Sequence, residues 1–599
     1  MDLMRRAPSI WALLIYLASA VVLFSSAWGD PLHRSAGGPG DAQLFMWMLG
    51  WVPYSISHGL NPLFTDYLIY PSGANLFWTL IPILPGLVLA PVMAWLGPVA
   101  AYNLAITVAL AGSAWCAYFA INAFVKDRLG SFLGGWLFGF SPYMLAHALG
   151  HINLVICMTP PLAMLLLAEL LVWQRRRAWI PGLLLGLLGA AQLLTTPEIL
   201  FTTGFVGAIA VVVLALMKWR EVVPRGRHAA IGLAIAIVVF LPVAALVLGY
   251  AFLGPDRVTG VVREQNIFVT DLLNFVIPTN VMLLAPAPLA DLSHSWTGDG
   301  AEWNAYIGLP LLALLVYVTY RWWSSLLIRW AAIVAALVAL LSLGPYLHVA
   351  GSIHFHIPLP WRVLQPLPLF DNVLPSRLML YFYLLAAIAL AVFVREMRHG
   401  VTGWKLHASR AWVAVCVVFL LPALPWPSSP NPVPAFFTGS AVKRIPQGFV
   451  ALVAPFSTAP GFQKGPGQDS ATYPMLWQME SGMWFRMPEG GLIVPDVNGA
   501  PSGGRPPQSV TQSTMIAIQQ GGPAPSLSDD LRGQISGELD RWKVQTVVVG
   551  PMYNQAAMID FFSALIGRPP EQLDGVFVWW STSFIRPLSA PSRAPVPAA

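Results

Sequence analysis

Residues 11–28 read Trp11-Ala12-Leu13-Leu14-Ile15-Tyr16-Leu17-Ala18-Ser19-Ala20-Val21-Val22-Leu23-Phe24-Ser25-Ser26-Ala27-Trp28, with no Asp, Glu, Lys or Arg among them. A helix of that length rises about 27 Å, close to the roughly 30 Å hydrocarbon core of a bilayer. Arg5 and Arg6 precede the run, and basic residues stay on the cytoplasmic side of a first span. No small-residue cleavage site follows, so the run reads as a retained helix and not as a signal peptide. The chain is therefore expected to emerge on the outer face near residue 29.

Composition extends this reading to the whole chain. Of 599 residues, 56% are hydrophobic and 10% charged, against about 25% charged in soluble proteins. No charged residue falls between Asp66 and Lys126, between Arg128 and Glu169, or between Arg329 and Arg362, and only Glu198 interrupts Arg177 to Lys218. This is the pattern of a polytopic α-helical membrane protein. About eleven spans are expected, at 11–28, 99–124, 130–148, 152–173, 180–196, 199–217, 229–252, 305–320, 330–347, 376–394 and 411–425. Seventeen basic residues then fall in inward loops, against five outward before residue 426: Arg34, Arg257, Arg263, Arg362 and Arg377. The net charge of +6 accordingly reports orientation in the membrane and not nucleic-acid binding.

Residues 76–96 are apolar enough to span, yet a span there would reverse the charge bias of every later loop. Pro82, Pro85 and Pro91 break the segment. It is expected as broken helix along or dipping into the outer leaflet, which is tolerated where protein or a wet cavity covers the backbone. The domain plan is then a transmembrane domain over 1–425 with a large first outer loop, 29–98. A Pro-rich linker at 426–440, a small extracytoplasmic α/β domain at 441–587 and a disordered tail at 588–599 complete it. Within the small domain, strands are expected at 449–455, 544–550 and 575–580, helices at 529–542 and 554–566, and a mobile Gly/Pro/Ser/Gln-rich loop at 498–525. Cys116, Cys157 and Cys416 all fall in expected spans, so no disulfide framework and no structural metal site is indicated.

The acids of the outer face carry the candidate chemistry. Asp41 lies just beyond the first span, where a carboxylate can take a proton from an attacking hydroxyl; the competing reading is a helix N-cap. Glu198 sits in a short outer turn, where an acid beside hydrocarbon marks a functional site, or else an acid at a helix N-terminus. Asp66 is the second acid of the first outer loop, with solvation as its ordinary role. His147 and His151, four apart, suit hydrogen bonding or substrate contact better than a metal. Glu302, Asn304 and Tyr306 precede the eighth span and could touch a sugar, although Trp303 and Tyr306 also fit an interfacial aromatic belt. Arg257, Arg263, Arg362 and Arg377 are outward guanidinium groups able to hold a lipid phosphate, with Arg377 alternatively snorkelling from a helix start.

Beyond these single residues, Gly40-Asp41-Ala42, Asn61-Pro62-Leu63, Tyr70-Pro71-Ser72-Gly73-Ala74-Asn75-Leu76, Phe138-Gly139-Phe140-Ser141-Pro142-Tyr143 with His151, Pro197-Glu198, and Met475-Leu476-Trp477-Gln478 with Ser481-Gly482-Met483 together resemble the GT-C superfamily of integral membrane glycosyltransferases. The similarity is to its bacterial, polyprenyl-phosphate-sugar-dependent members and covers nearly the whole chain. The resemblance implies inverting transfer of a sugar from a polyprenyl-phosphate carrier to a glycan, lipid or protein acceptor outside the cytoplasmic membrane. It makes Asp41 the general base. Glu198 and His151 match positions shared in the subgroup. Neither a clear second acid, unless Asp66 serves, nor the metal-binding acids of the oligosaccharyltransferase branch are evident, so no cofactor is indicated. The alternative is a lipid or saccharide flippase without chemistry, since intramembrane acids and broken helices also serve transport. A transporter would carry polar residues on through the bilayer midplane.

Overall fold

The computed structural model describes residues 2–459, 467–504 and 508–580; the expected tail at 588–599 lies outside them. The chain divides into two compact units, one of residues 1–38, 80–250 and 260–429, the other of residues 39–79, 251–259 and 430–599.

The first unit is helical because its apolar runs must satisfy their backbone groups internally. Each expected span overlaps a helix, although residues 156–158, 305–308, 343–347 and 420–425 within those spans are not helical. Among the described residues, four helical stretches, Ile83–Val125, Ile152–Trp173, Pro197–Leu253 and Pro375–Gly400, are long and apolar enough by themselves to cross a bilayer. The protein is a multi-pass membrane protein. Shorter apolar helices at Ser9–Leu23, Trp179–Leu193, Leu309–Arg321 and Leu326–Ser342 accompany them. Helix Met379–Gly400 is the centre of packing, with every residue from Met379 to Val394 buried and none of them charged. Helix Arg128–Gly139 approaches it closely through glycine: a Cβ on Gly130 would stand 2.5 Å from the Ala391 carbonyl oxygen, and one on Gly134 2.8 Å from that of Ala387. Small residues permit such contact where lipid supplies no hydrophobic drive between helices.

The prolines expected to break this segment do not do so: Pro85 and Pro91 lie within one continuous helix, and the interruption falls at Gly97. A 3₁₀ turn at Leu76–Thr79 is followed by helix from Ile83, which turns at Gly97 (φ 80°, ψ 173°) into the helix ending at Val125. Residues 83–96 therefore make a helix of about 21 Å, too short for the bilayer core. Val88 and Trp95 stand 67% and 90% exposed on it, which suits contact with lipid.

The second unit holds a four-stranded sheet in the order Glu571–Leu573, Val576–Trp580, Val544–Val549, Val450–Ala454. Val544–Val549 runs parallel to Val450–Ala454 and antiparallel to Val576–Trp580, the mixed sheet that alternating strands and helices lead one to expect. Helices Val510–Gln519, Asp529–Arg541 and Gln555–Ile566 supply Met515, Ile518, Ile535, Leu539, Phe561 and Phe562 to its core. The unit takes in more than the expected domain, for residues 39–79 belong to it. Helix Asp41–Ser57 is tied to helix Tyr473–Glu480 by the Trp47 indole donating to Gln478 Oε1 at 2.7 Å. Gln43 Nε2 donates to Asn431 Oδ1 at 2.7 Å, and backbone bonds link Tyr67 and Tyr70 to Met487.

The segment read as a mobile loop differs. Val510–Gln519 is a capped helix whose Ser509 side chain accepts from the Gln512 N–H, and Thr511, Met515 and Ile518 are buried along one face.

Candidate functional site

In the helical unit, three elements each deliver one charge to a common buried point. Thr196 is extended and Pro197 occupies the first helical position, so Glu198 opens the helix Pro197–Val222, where the dipole favours an acid. Arg377 belongs to the 3₁₀ turn Pro375–Leu378 that leads into helix Met379–Gly400. Glu302 follows a turn in which Asp299 accepts from the Ala301 N–H.

Arg377 Nη1 meets Glu198 Oε2 at 2.5 Å, and Nη2 and Nε donate to Glu302 Oε1 at 2.6 and 2.9 Å. Ser376 Oγ donates to Glu302 Oε2 at 2.7 Å. The side chains are 14% exposed for Arg377, 10% for Glu198 and 2% for Glu302, so these charges are paired in place of water. Burial alone would raise the Glu302 carboxyl, but the Arg377 guanidinium outweighs it and holds the group down to about 2. Burial, with the charge of Glu302 beside it, pushes Asp299 up from its ordinary 3.8.

Glu302 has both oxygens engaged; Glu198 does not. Glu198 Oε1 is buried and without a hydrogen-bond partner among the described residues, as are His147 Nδ1, Tyr143 Oη and Asn304 Oδ1. These groups surround the charges. The Tyr143 ring lies 4.4 Å from that of His147, and His147 Nε2 is 3.5 Å from Asn304 Nδ2. His147 ends the helix Pro142–His147, and His151, its ring 5.6 Å away, begins the next short helix Ile152–Val155. The two histidines thus meet across a turn and not along one helix face.

The other candidates separate by environment. Arg377, one of the four guanidinium groups read as able to hold a phosphate, is paired here with two carboxylates. Arg257 and Arg362 are exposed and Arg263 half-buried, with Arg362 lying 5.2 Å over the Tyr346 ring. Tyr306 is 3% exposed and its carbonyl accepts from Tyr383 Oη at 2.7 Å. It is therefore part of the interior and not of an aromatic belt. Among the described residues no group of three or more His, Cys, Asp or Glu is arranged to hold a metal.

In the second unit, Asp41 is the first residue of helix Asp41–Ser57. The N-cap is Gly40, and its N–H donates to Gln43 Oε1 at 2.8 Å. The start of the helix is thus closed by Gln43, and Asp41 is not the cap residue. Asp66 faces Arg486 at 3.4 Å on a partly exposed surface, where Arg486 also lies over Tyr67 and Tyr70. The sequence motif ending in Gln478 is what anchors the Asp41 helix, through the Trp47–Gln478 bond.

The triad of Glu198, Arg377 and Glu302 could not be paired from sequence, since its members stand 179 and 75 residues apart. Ser376 was missed altogether; its only signal is adjacency to Arg377.

A family model described as "Domain of unknown function (DUF6311)" matches residues 13–421. No curated protein matches the sequence. Among solved structures, the arabinofuranosyltransferase AftD from Mycobacteria is similar at 14% identity, covering 96% of this chain and 40% of its own, with a TM-score of 0.49. The chain thus spans well under half of that transferase's length. The Archaeoglobus fulgidus oligosaccharyltransferase aligns at 10% identity over 92% of this chain and 70% of its own, TM-score 0.44. ArnT from Cupriavidus metallidurans, solved bound to undecaprenyl phosphate, aligns at 12% identity over 95% and 98%, TM-score 0.38.

Proposed function

The chain belongs to the DUF6311 family, and we propose that it is an inverting glycosyltransferase of the bacterial cytoplasmic membrane. It moves a sugar from a polyprenyl-phosphate carrier to a glycan, lipid or protein acceptor on the outer side, with Asp41 as general base. The N-terminus is inside and the α/β unit outside. The observation that carries the reading is the start of the Asp41 helix. Gln43 satisfies the Gly40 N–H, so an acid at the first helical position is not explained by capping, while the helix dipole favours its ionised, proton-accepting form.

The step follows from elementary chemistry. Asp41 takes the proton of the acceptor hydroxyl. The oxygen attacks the anomeric carbon from the face opposite the phosphate, forming the new glycosidic bond as the old carbon–oxygen bond breaks. Polyprenyl phosphate leaves with the electron pair, its charge neutralised by a guanidinium group.

The test is a cell that lacks the native protein and is fed radiolabelled sugar. The wild-type chain should restore label to the acceptor, whereas Asp41→Asn at equal protein level should leave label in the polyprenyl-phosphate fraction. Full restoration by Asp41→Asn would remove Asp41 from catalysis.

A further inference from the structure

We infer that the cluster around Glu198 is a subsite that reads the hydroxyl groups of the substrate sugar and turns its phosphate away. The inference rests on the proposed transferase reading and assigns the substrate moiety that this part of the helical unit recognises.

The first argument is the donor and acceptor inventory. Glu198 Oε1 and Asn304 Oδ1 are acceptors, Tyr143 Oη is both donor and acceptor, and all are buried and unpartnered among the described residues. When the Asn304 amide donates to His147 Nε2, the imidazole proton resides on Nδ1, adding a buried donor without a partner. Each such group costs about 1–3 kcal/mol when left unsatisfied. A sugar hydroxyl donates and accepts at one atom, so a few of them satisfy both kinds at once. A phosphate only accepts and would leave Glu198 Oε1 and Asn304 Oδ1 unmet.

The second argument is charge. Two carboxylates, Glu198 and Glu302, share the one guanidinium of Arg377. The cluster therefore carries a net negative charge in a buried setting, where like charge is poorly screened. Three N–H groups of Arg377 are already directed at carboxylate oxygens. The same arrangement divides the labour between the two acids. Glu302, fully engaged by Arg377 and Ser376, fixes the guanidinium. That guanidinium in turn orients Glu198, which keeps one oxygen for a ligand. Glu198 is thereby a specificity-determining residue.

The test uses the full chain in lipid nanodiscs and measures binding of bare polyprenyl phosphate beside a panel of polyprenyl-phosphate hexoses and pentoses. Wild type should bind at least one glycosylated lipid about tenfold more tightly than the bare lipid, the effect of one or two hydrogen bonds to a charged or buried group. Glu198→Gln and Tyr143→Phe should each lower that ratio about fivefold or more. Tyr143→Phe serves as the second variant because it removes a hydroxyl without a partner: the ligand-free protein should melt at or above the wild-type temperature, so a lost ratio cannot be ascribed to misfolding. Equal affinity for bare and glycosylated lipids across the panel, or a preference that neither variant moves, overturns the inference alone. Failure to bind any polyprenyl phosphate overturns the lipid-donor reading, and this inference with it.

Discussion

Arg377 in the helical unit and Arg444 in the α/β unit both pair with glutamate, and the two pairs stand in different surroundings. Arg444 bonds both oxygens of Glu571 at 2.8 and 3.1 Å and lies 4.1 Å over the Trp580 ring. Its geometry is good, yet the side chains are 49% and 42% exposed. Water and salt already solvate those charges, so the pair adds little to stability. Arg377 has slightly shorter contacts but almost no water, and it serves two carboxylates. There the cost of stripping water from three charges is met only while all three remain. The contrast between these two pairs is one of solvent: the exposed Arg444–Glu571 pair competes with water, whereas the buried Arg377 cluster depends on its own members for every charge it holds.

Arg377→Met leaves two buried carboxylates without a cation, and the helical unit should lose about 3–5 kcal/mol, read as a fall in folded protein in detergent and in its unfolding midpoint. A variant as stable as wild type would mean that water reaches the cluster freely. Next in size is Glu302→Gln, expected to cost about 1.5–3 kcal/mol through its bonds to Arg377 and Ser376. Glu302 also sets a pH dependence. Its folded value of about 2 lies below the ordinary 4.5, so folding favours the ionised form. That stabilisation is fully present above about pH 4.5 and is lost as pH falls from there toward 2. Thermal midpoints taken across that window should drop for wild type and stay flatter for Glu302→Gln.

Glu198→Gln should be gentler on the fold than Glu302→Gln, because only one of its oxygens is engaged, while impairing use of the sugar donor more than a surface change would. Equal destabilisation by the two glutamine variants would erase the division of roles between the acids. Smallest of all, Arg444→Ala should cost less than about 1 kcal/mol beyond lost packing on Trp580, with its ionic part fading as salt is raised. A larger, salt-independent loss would place Arg444 among the buried pairs instead.

How much of this was legible follows from what each feature depends on. The spans were readable because an apolar run and its flanking arginines are local properties; the strands at 450–454 and 544–549 were readable because short β-branched runs between turns are local too. The helix at 510–519 runs against its composition, although Ser509 is a good N-cap residue and Met515 and Ile518 keep helical spacing. Asp41, Glu198, Glu302 and Arg377 each drew notice singly. Arg377 was assigned to phosphate, because nothing local says that two distant acids will occupy it. Likewise, the attachment of residues 39–79 to the unit that begins at 430 depends on Trp47 finding Gln478, a pairing that spacing alone cannot reveal.

The most direct test of the account is transfer kinetics for the purified chain in lipid, with the sugar-bearing polyprenyl phosphate it binds, comparing wild type, Asp41→Asn and Glu198→Gln. Asp41→Asn should lower kcat by about 10²–10⁴-fold, the usual contribution of a general base, with lipid affinity unchanged. Glu198→Gln should chiefly raise KM for the donor. Transfer by Asp41→Asn at the wild-type rate would contradict it.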